Sequence, residues 1–139
     1  MDRREVIAVG ATLLTVPAAA LAQSSHTAHA QGGTLLQTSS ECVKAGLVCI
    51  DHCLQAFAAG DSSLAACARS SDQMVSLCGT LAKLASVRSS FLPAMAKVAL
   101  AGCQDCEMEC RKHADKHPVC KTCAEACAAC AAECKKMIA

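Results

Sequence analysis

An all-α protein, an up-down-up-down antiparallel four-helix bundle with a cysteine-lined core, is what this sequence predicts, and three observations predict it. Phe57 and Phe91 are the only Phe, Tyr or Trp residues in 139, and β-branched residues are sparse while Ala, Leu, Lys and Glu abound, a helical composition and not a sheet one. The 13 cysteines recur at helical spacing. Breaks at Ala59-Gly60-Asp61, Arg88-Ser89-Ser90 and His117-Pro118 divide the chain beyond residue 39 into four segments.

Taken in order, the first helix is expected from Ser40, as N-cap, to Ala58, where Gly60 stops it and Asp61 or Ser62 starts the next. The second covers about Ser62 to Val87. The third accepts Pro93 in its first turn and continues to about Lys116. His117-Pro118 forces the last turn and opens the fourth helix, which reaches Ile138. Helices of this size are on the order of 30 to 40 Å long at 1.5 Å per residue, and short connections make successive helices antiparallel neighbours.

Ahead of the bundle, Met1-Asp2-Arg3-Arg4-Glu5-Val6-Ile7 sets a twin arginine before an apolar run to Val16, and Ala20-Leu21-Ala22 offers a small-residue cleavage site. Residues 1–22 are therefore expected to be a twin-arginine signal peptide for export to the periplasm. That apolar run is too short to cross a bilayer core of about 30 Å, so no membrane span is expected in the mature form. Residues 23–39, rich in Ser, Thr, Gln, Gly and Ala and holding His26 and His29, are expected to be a flexible lead-in. Residues 40–139 form the expected metal-binding domain. The formal charge is +1 with acids and bases interspersed, so no basic face exists for nucleic acid.

The cysteines fall where a core should be. Cys120, Cys123, Cys127, Cys130 and Cys134 follow a 3-4-3-4 spacing, the a/d seam of a heptad pattern, with no large aliphatic residue between them. Cys103, Cys106 and Cys110 repeat the arrangement, Cys42, Cys49 and Cys53 share a broad face of the first helix, and Cys67 and Cys78 lie about three turns apart on the second. A core of thiols and alanines lacks the bulk that normally fills four long helices, so something else is expected to fill it.

Chemistry narrows that filling. Cβ atoms one helical turn apart are about 5 to 6 Å from each other, whereas a disulfide needs about 3.5 to 4.5 Å. The i,i+4 pairs Cys49/Cys53, Cys106/Cys110, Cys123/Cys127 and Cys130/Cys134 are instead spaced to converge on one soft ion. Thiolates select Cu(I), Zn(II) or iron-sulfur clusters. Repeated tetrathiolate zinc sites would each leave two negative charges in a dry core, iron-sulfur motifs gather their cysteines in loops, and one Cu(I) per thiolate leaves no charge.

On these cysteine-lined helices, repeated C-x3-C pairs and twin-arginine leader, the chain from about Ser40 to Ala139 resembles the bacterial four-helix-bundle copper storage proteins. The resemblance implies storage of multiple Cu(I) ions, about one per cysteine, with all thirteen cysteines as ligands. It implies a homo-oligomer, often a tetramer, and a copper chaperone or client copper enzyme as partner. It also implies Met or His donors where copper enters: His113 and His117 continue the seam of Cys106 and Cys110 at steps of 3 and 4, while His52, Met74 and Met137 lie close to cysteines.

No nucleophile triad, phosphate loop or carboxylate pair marks an enzyme. Two alternatives stand beside storage: an exported helical protein stapled by disulfides between facing helices, and a zinc or detoxification sponge of metallothionein type. Copper is expected to enter at the end holding Cys53, Cys67, Cys110, His113, His117 and Cys120. Leu81, Leu84, Phe91, Leu92, Ala96 and Ala99 are expected to plug the other.

Overall fold

A computed structural model describes the backbone of residues 19–139 and the side chains of residues 32–139. The described residues form four helices and no strand: α1 (Ala19–Ala58), α2 (Ala65–Ser86), α3 (Leu92–Arg111) and α4 (Pro118–Ile138). α1 packs against α2 and α4, α3 packs against the same two, and the diagonal pairs meet only through side chains on the bundle axis. With connections only at residues 59–64, 87–91 and 112–117, successive helices run antiparallel, as the sequence predicts.

The turns show why the helices end where they do. Gly60, at φ +86°, takes the left-handed position after α1, and the Gly60 and Asp61 N–H groups donate to Phe57 and Ala56 carbonyls at 2.9 Å. α2 closes in the same way with Arg88 at φ 51°, where the Arg88 and Ser89 N–H groups donate to Ala85 and Leu84 carbonyls at 3.2 and 3.0 Å. His117 is extended (φ −128°, ψ 95°), as a residue before proline must be, and Pro118 occupies the first turn of α4.

Three boundaries differ from expectation. α1 begins at Ala19, so Ser40 is mid-helix and not an N-cap, and its Oγ donates back to the Leu36 carbonyl at 2.8 Å. The helix thus runs through residues 23–39, expected as a lead-in, and Leu35 and Ser39 are already buried in the bundle. Residues 1–18 of the expected leader lie outside the described residues. α2 begins at Ala65 and not Ser62, because Asp61 Oδ1 accepts the Ser63 N–H at 2.8 Å and holds a local turn. α3 stops at Arg111, before the expected Lys116: reversing the chain ahead of Pro118 unwinds its end into tighter bonds such as His113 N–H to the Cys110 carbonyl at 3.1 Å.

The buried residues form one seam per helix at alternating steps of three and four. On α1 these are Leu35, Ser39, Cys42, Gly46, Cys49 and Cys53; on α2 Leu64, just ahead of the helix, leads into Cys67, Ser71, Met74, Cys78, Leu81 and Ala85. α3 contributes Leu92, Ala96, Ala99, Cys103, Cys106 and Cys110, and α4 Cys120, Cys123, Cys127, Cys130 and Cys134. Gly46 leaves room for Met74, since a Cβ there would lie 2.6 Å from Met74 Cε and 2.5 Å from Val75 Cγ2.

Most buried aliphatic residues therefore collect at one end, where Leu35, Leu81, Ala85, Leu92, Ala96 and Ala99 are buried, with Leu64 the exception at the other. Phe91 is not part of this plug: it sits ahead of α3 and is 72% exposed. Leu84 is only partly buried. No helix among the described residues is long and apolar enough to cross a membrane.

Candidate metal centre

All 13 cysteines are buried and free, and all lie on the inward seams. Their sulfurs form a continuous column. The shortest contacts run between helices: Cys67 to Cys110 and Cys78 to Cys103 at 3.4 Å, and Cys42 to Cys127 and Cys49 to Cys67 at 3.7 Å. Of the i,i+4 pairs singled out by spacing, Cys106 and Cys110 touch within their own helix, at 3.9 Å. The column is knit across the bundle as much as along each helix.

Four sets of sulfurs lie close enough to share an ion: Cys42/Cys78/Cys103/Cys130, Cys49/Cys67/Cys120, Cys49/Cys110/Cys123 and Cys106/Cys123/Cys127. The three triads share Cys49 and Cys123, so they interlock through common sulfurs.

Crowding buried thiols splits their acidities. Cys49 is pushed well below the usual thiol range by S–H donation from Cys110, Cys123 and Cys67; Cys106 is lowered by Cys110, Cys123 and Cys127, and Cys130 by Cys103, Cys134, Cys42 and Cys78. The donors move the other way. Cys110 is raised by its bonds to Cys106 and Cys123, and Cys127 by those to Cys103 and Cys106. Burial itself lifts Cys53 to about 12 and raises Cys120. Only part of the column can ionise at once without a cation, so a metal entering it displaces protons and binds more tightly as pH rises.

Three buried hydroxyls meet this core differently. Ser39 and Ser70 donate to the Leu35 and Cys67 carbonyls of their own helices at 2.6 and 3.1 Å. Ser71 turns to sulfur, 3.5 Å from Cys106 and 3.9 Å from Cys110. It was legible only as the position four residues after Cys67. Met74 Sδ accepts from the Cys42 thiol at 3.2 Å. Met137 is partly buried against the opposite end.

The expected histidines gather at the turn between α3 and α4. His52 Nε2 and His117 Nδ1 lie 2.9 Å apart, and the His113 and His117 rings are 6.3 Å apart at their centroids. All three are half-buried. Across one such ring-to-ring bond one nitrogen donates and the other accepts with its lone pair.

A family model described as copper storage protein, Csp, matches residues 28–139. The chain belongs to the copper storage protein family. Copper storage proteins of known structure share its fold. Apo copper storage protein 3 from Bacillus subtilis is 28% identical with a TM-score of 0.68, covering 77% of this chain and 98% of that one. The Cu(I)-bound copper storage protein BsCsp3 is also 28% identical, with a TM-score of 0.70 over 78% of this chain and 99% of that one. A copper storage protein from Streptomyces lividans, described with five coppers, is 24% identical with a TM-score of 0.75, over 81% of this chain and 96% of that one. No curated protein matches the chain in sequence.

The function is storage of Cu(I) by cysteine thiolates inside a four-helix bundle, and the family is not one of enzymes. One expectation is overturned. The Streptomyces protein is described as cytosolic, which conflicts with the exported, periplasmic location expected from residues 1–22. The physical reason is that two arginines ahead of a short apolar stretch are a sparse pattern that does not by itself fix a route of export; the pattern lies in residues outside those described.

Proposed function

We propose that all 13 cysteines are copper ligands and that a full chain holds about one Cu(I) per cysteine, within a metal-binding unit of residues 40–139 to which Leu35 and Ser39 add closing contacts. The observation that carries this reading is the unbroken column of buried free thiols. Each Cu(I) balances one thiolate, so the core stays neutral however many ions it takes, and shared sulfurs suit an ion content at which thiolates bridge. Anaerobic titration with Cu(I) against a chromophoric chelator is expected to saturate near thirteen equivalents for the 13 thiols. Saturation at three or four would replace this reading with tetrahedral clusters of the zinc type. The resemblance to copper storage proteins supports a homo-oligomer, and exchange of copper with a chaperone or client copper enzyme.

Copper enters, in this reading, at the end where His52, His113 and His117 converge. An ion leaving a chelator needs exchangeable donors before it is buried, and half-buried imidazoles, common ligands of metal ions, supply them. The opposite end is closed by aliphatic side chains. Replacing His113 and His117 together by alanine is expected to slow both uptake and chelator-driven removal several-fold, with total capacity unchanged. Unaltered kinetics in that double variant, with slowed kinetics in Met137→Leu, would put the entrance at the other end.

A further inference from the structure

We propose that Cys42, Cys78, Cys103 and Cys130 form a single tetrahedral site for a divalent d10 ion such as Zn(II), held by the copper-free protein. This goes beyond copper storage and does not rest on the copper stoichiometry. These four buried sulfurs come one from each helix, and all lie within 4.8 Å of one another. The Cys78 sulfur is 3.4 Å from that of Cys103 and 3.9 Å from that of Cys130. At a zinc–sulfur distance of about 2.3 Å, the edges of a tetrahedron are about 3.8 Å, so the thiols already stand close to the required shape.

The set is also separate from its neighbours. The triad Cys49/Cys110/Cys123 shares one sulfur with each of the other two triads and competes with both for ligands, whereas no member of the quartet belongs to any triad. Four thiolates around Zn(II) carry two negative charges, a cost the bundle meets once and not repeatedly. In the metal-free protein the Cys42 S–H donates to Cys127 Sγ at 3.7 Å; once Cys42 ligates as a thiolate, the same contact lets the Cys127 S–H donate to it. An ion there ties all four helices at one level. It holds the bundle closed until Cu(I) takes the thiolates.

The test is titration of reduced, copper-free protein with Co(II), whose visible spectrum reports tetrahedral thiolate ligation, followed by displacement with Zn(II). One equivalent is expected to saturate the tetrahedral signal. Loss of an outer-shell partner typically weakens a metal site 10–100-fold, so Cys78→Ser and Cys130→Ser are each expected to weaken Co(II) and Zn(II) by more than about 100-fold. Ser76→Ala, on the exposed face of α2, is expected to bind as the parent does. Helix content by circular dichroism confirms that each variant is folded. In the unmodified protein, one equivalent of Zn(II) is expected to slow alkylation of these four thiols more than that of Cys49, Cys67 and Cys120, read by peptide mass mapping. The proposal is overturned by saturation above one equivalent, by the absence of a tetrahedral signal, by equal binding in Cys78→Ser and Cys130→Ser, or by equal slowing across all the thiols. A Cu(I) titration of the parent fails or succeeds independently of these outcomes.

Discussion

Saturating the chain with Cu(I) is expected to raise its thermal midpoint by tens of degrees, with the largest gain in protection along α4. A ligand held only by the folded state stabilises it by about 4 kcal/mol per site at a thousandfold excess over Kd. Three such sites alone contribute about 12 kcal/mol, comparable to the whole stability of a small domain. At about 4 to 8 °C per kcal/mol for a domain of this size, the shift exceeds that of any single substitution. α4 should gain most because the residues it buries are Cys120, Cys123, Ala124, Cys127, Cys130, Ala131 and Cys134, with no aliphatic side chain larger than alanine. Without metal its inner face has little to hold it. Hydrogen exchange in residues 120–134 that is no slower with copper than without would show that the apo core is already complete.

Met74→Ala is expected to destabilise the copper-free protein by about 2 to 5 kcal/mol, the usual cost of emptying a buried methionine site. Met74 is fully buried, faces Gly46 across α1 and is among the few large side chains between the thiols. Met74→Leu keeps the volume and should cost less than about 1.5 kcal/mol. Urea unfolding of the two variants separates bulk from sulfur chemistry. Copper capacity is expected to be unchanged in Met74→Leu, because the thiolates set it. Loss of one equivalent there would make the Met74 thioether a ligand, a role its 3.2 Å approach to the Cys42 sulfur leaves open to that measurement.

How much of this was legible in the sequence depended on residue type. The cysteines of α3 and α4 declared both the helix and its buried face, because their 3-4 spacing is the seam itself. Gly60 and His117-Pro118 marked turns through backbone rules that tertiary packing did not override. The beginning of α1 was hidden by composition. Ser, Thr, Gln and Gly read as lead-in, yet Leu35 and Ser39 continue the seam of Cys42 backwards by the same steps, and the hydroxyls of Thr38, Ser39 and Ser40 bond to their own helix. Gly46 and Ser71 were missed for a related reason. A search for apolar periodicity skips a seam position that is small or polar, although one makes room for a methionine and the other meets two thiols. Phe91 failed in the opposite sense, since hydrophobicity alone does not bury a residue that sits ahead of a helix.

With copper entering at the imidazole end, as proposed above, the placement of Leu35, Leu81, Ala85, Leu92 and Ala96 at the other makes the column a blind tube. Traffic through a single mouth is ordered. The first ions in travel deepest, towards Cys42, Cys78 and Cys134, and those nearest Cys53 and Cys120 are the first to leave. A partly filled chain therefore behaves as a queue served from its newest end: a readily exchanged fraction sits near the mouth, and a reserve lies behind it that is reached only when demand persists.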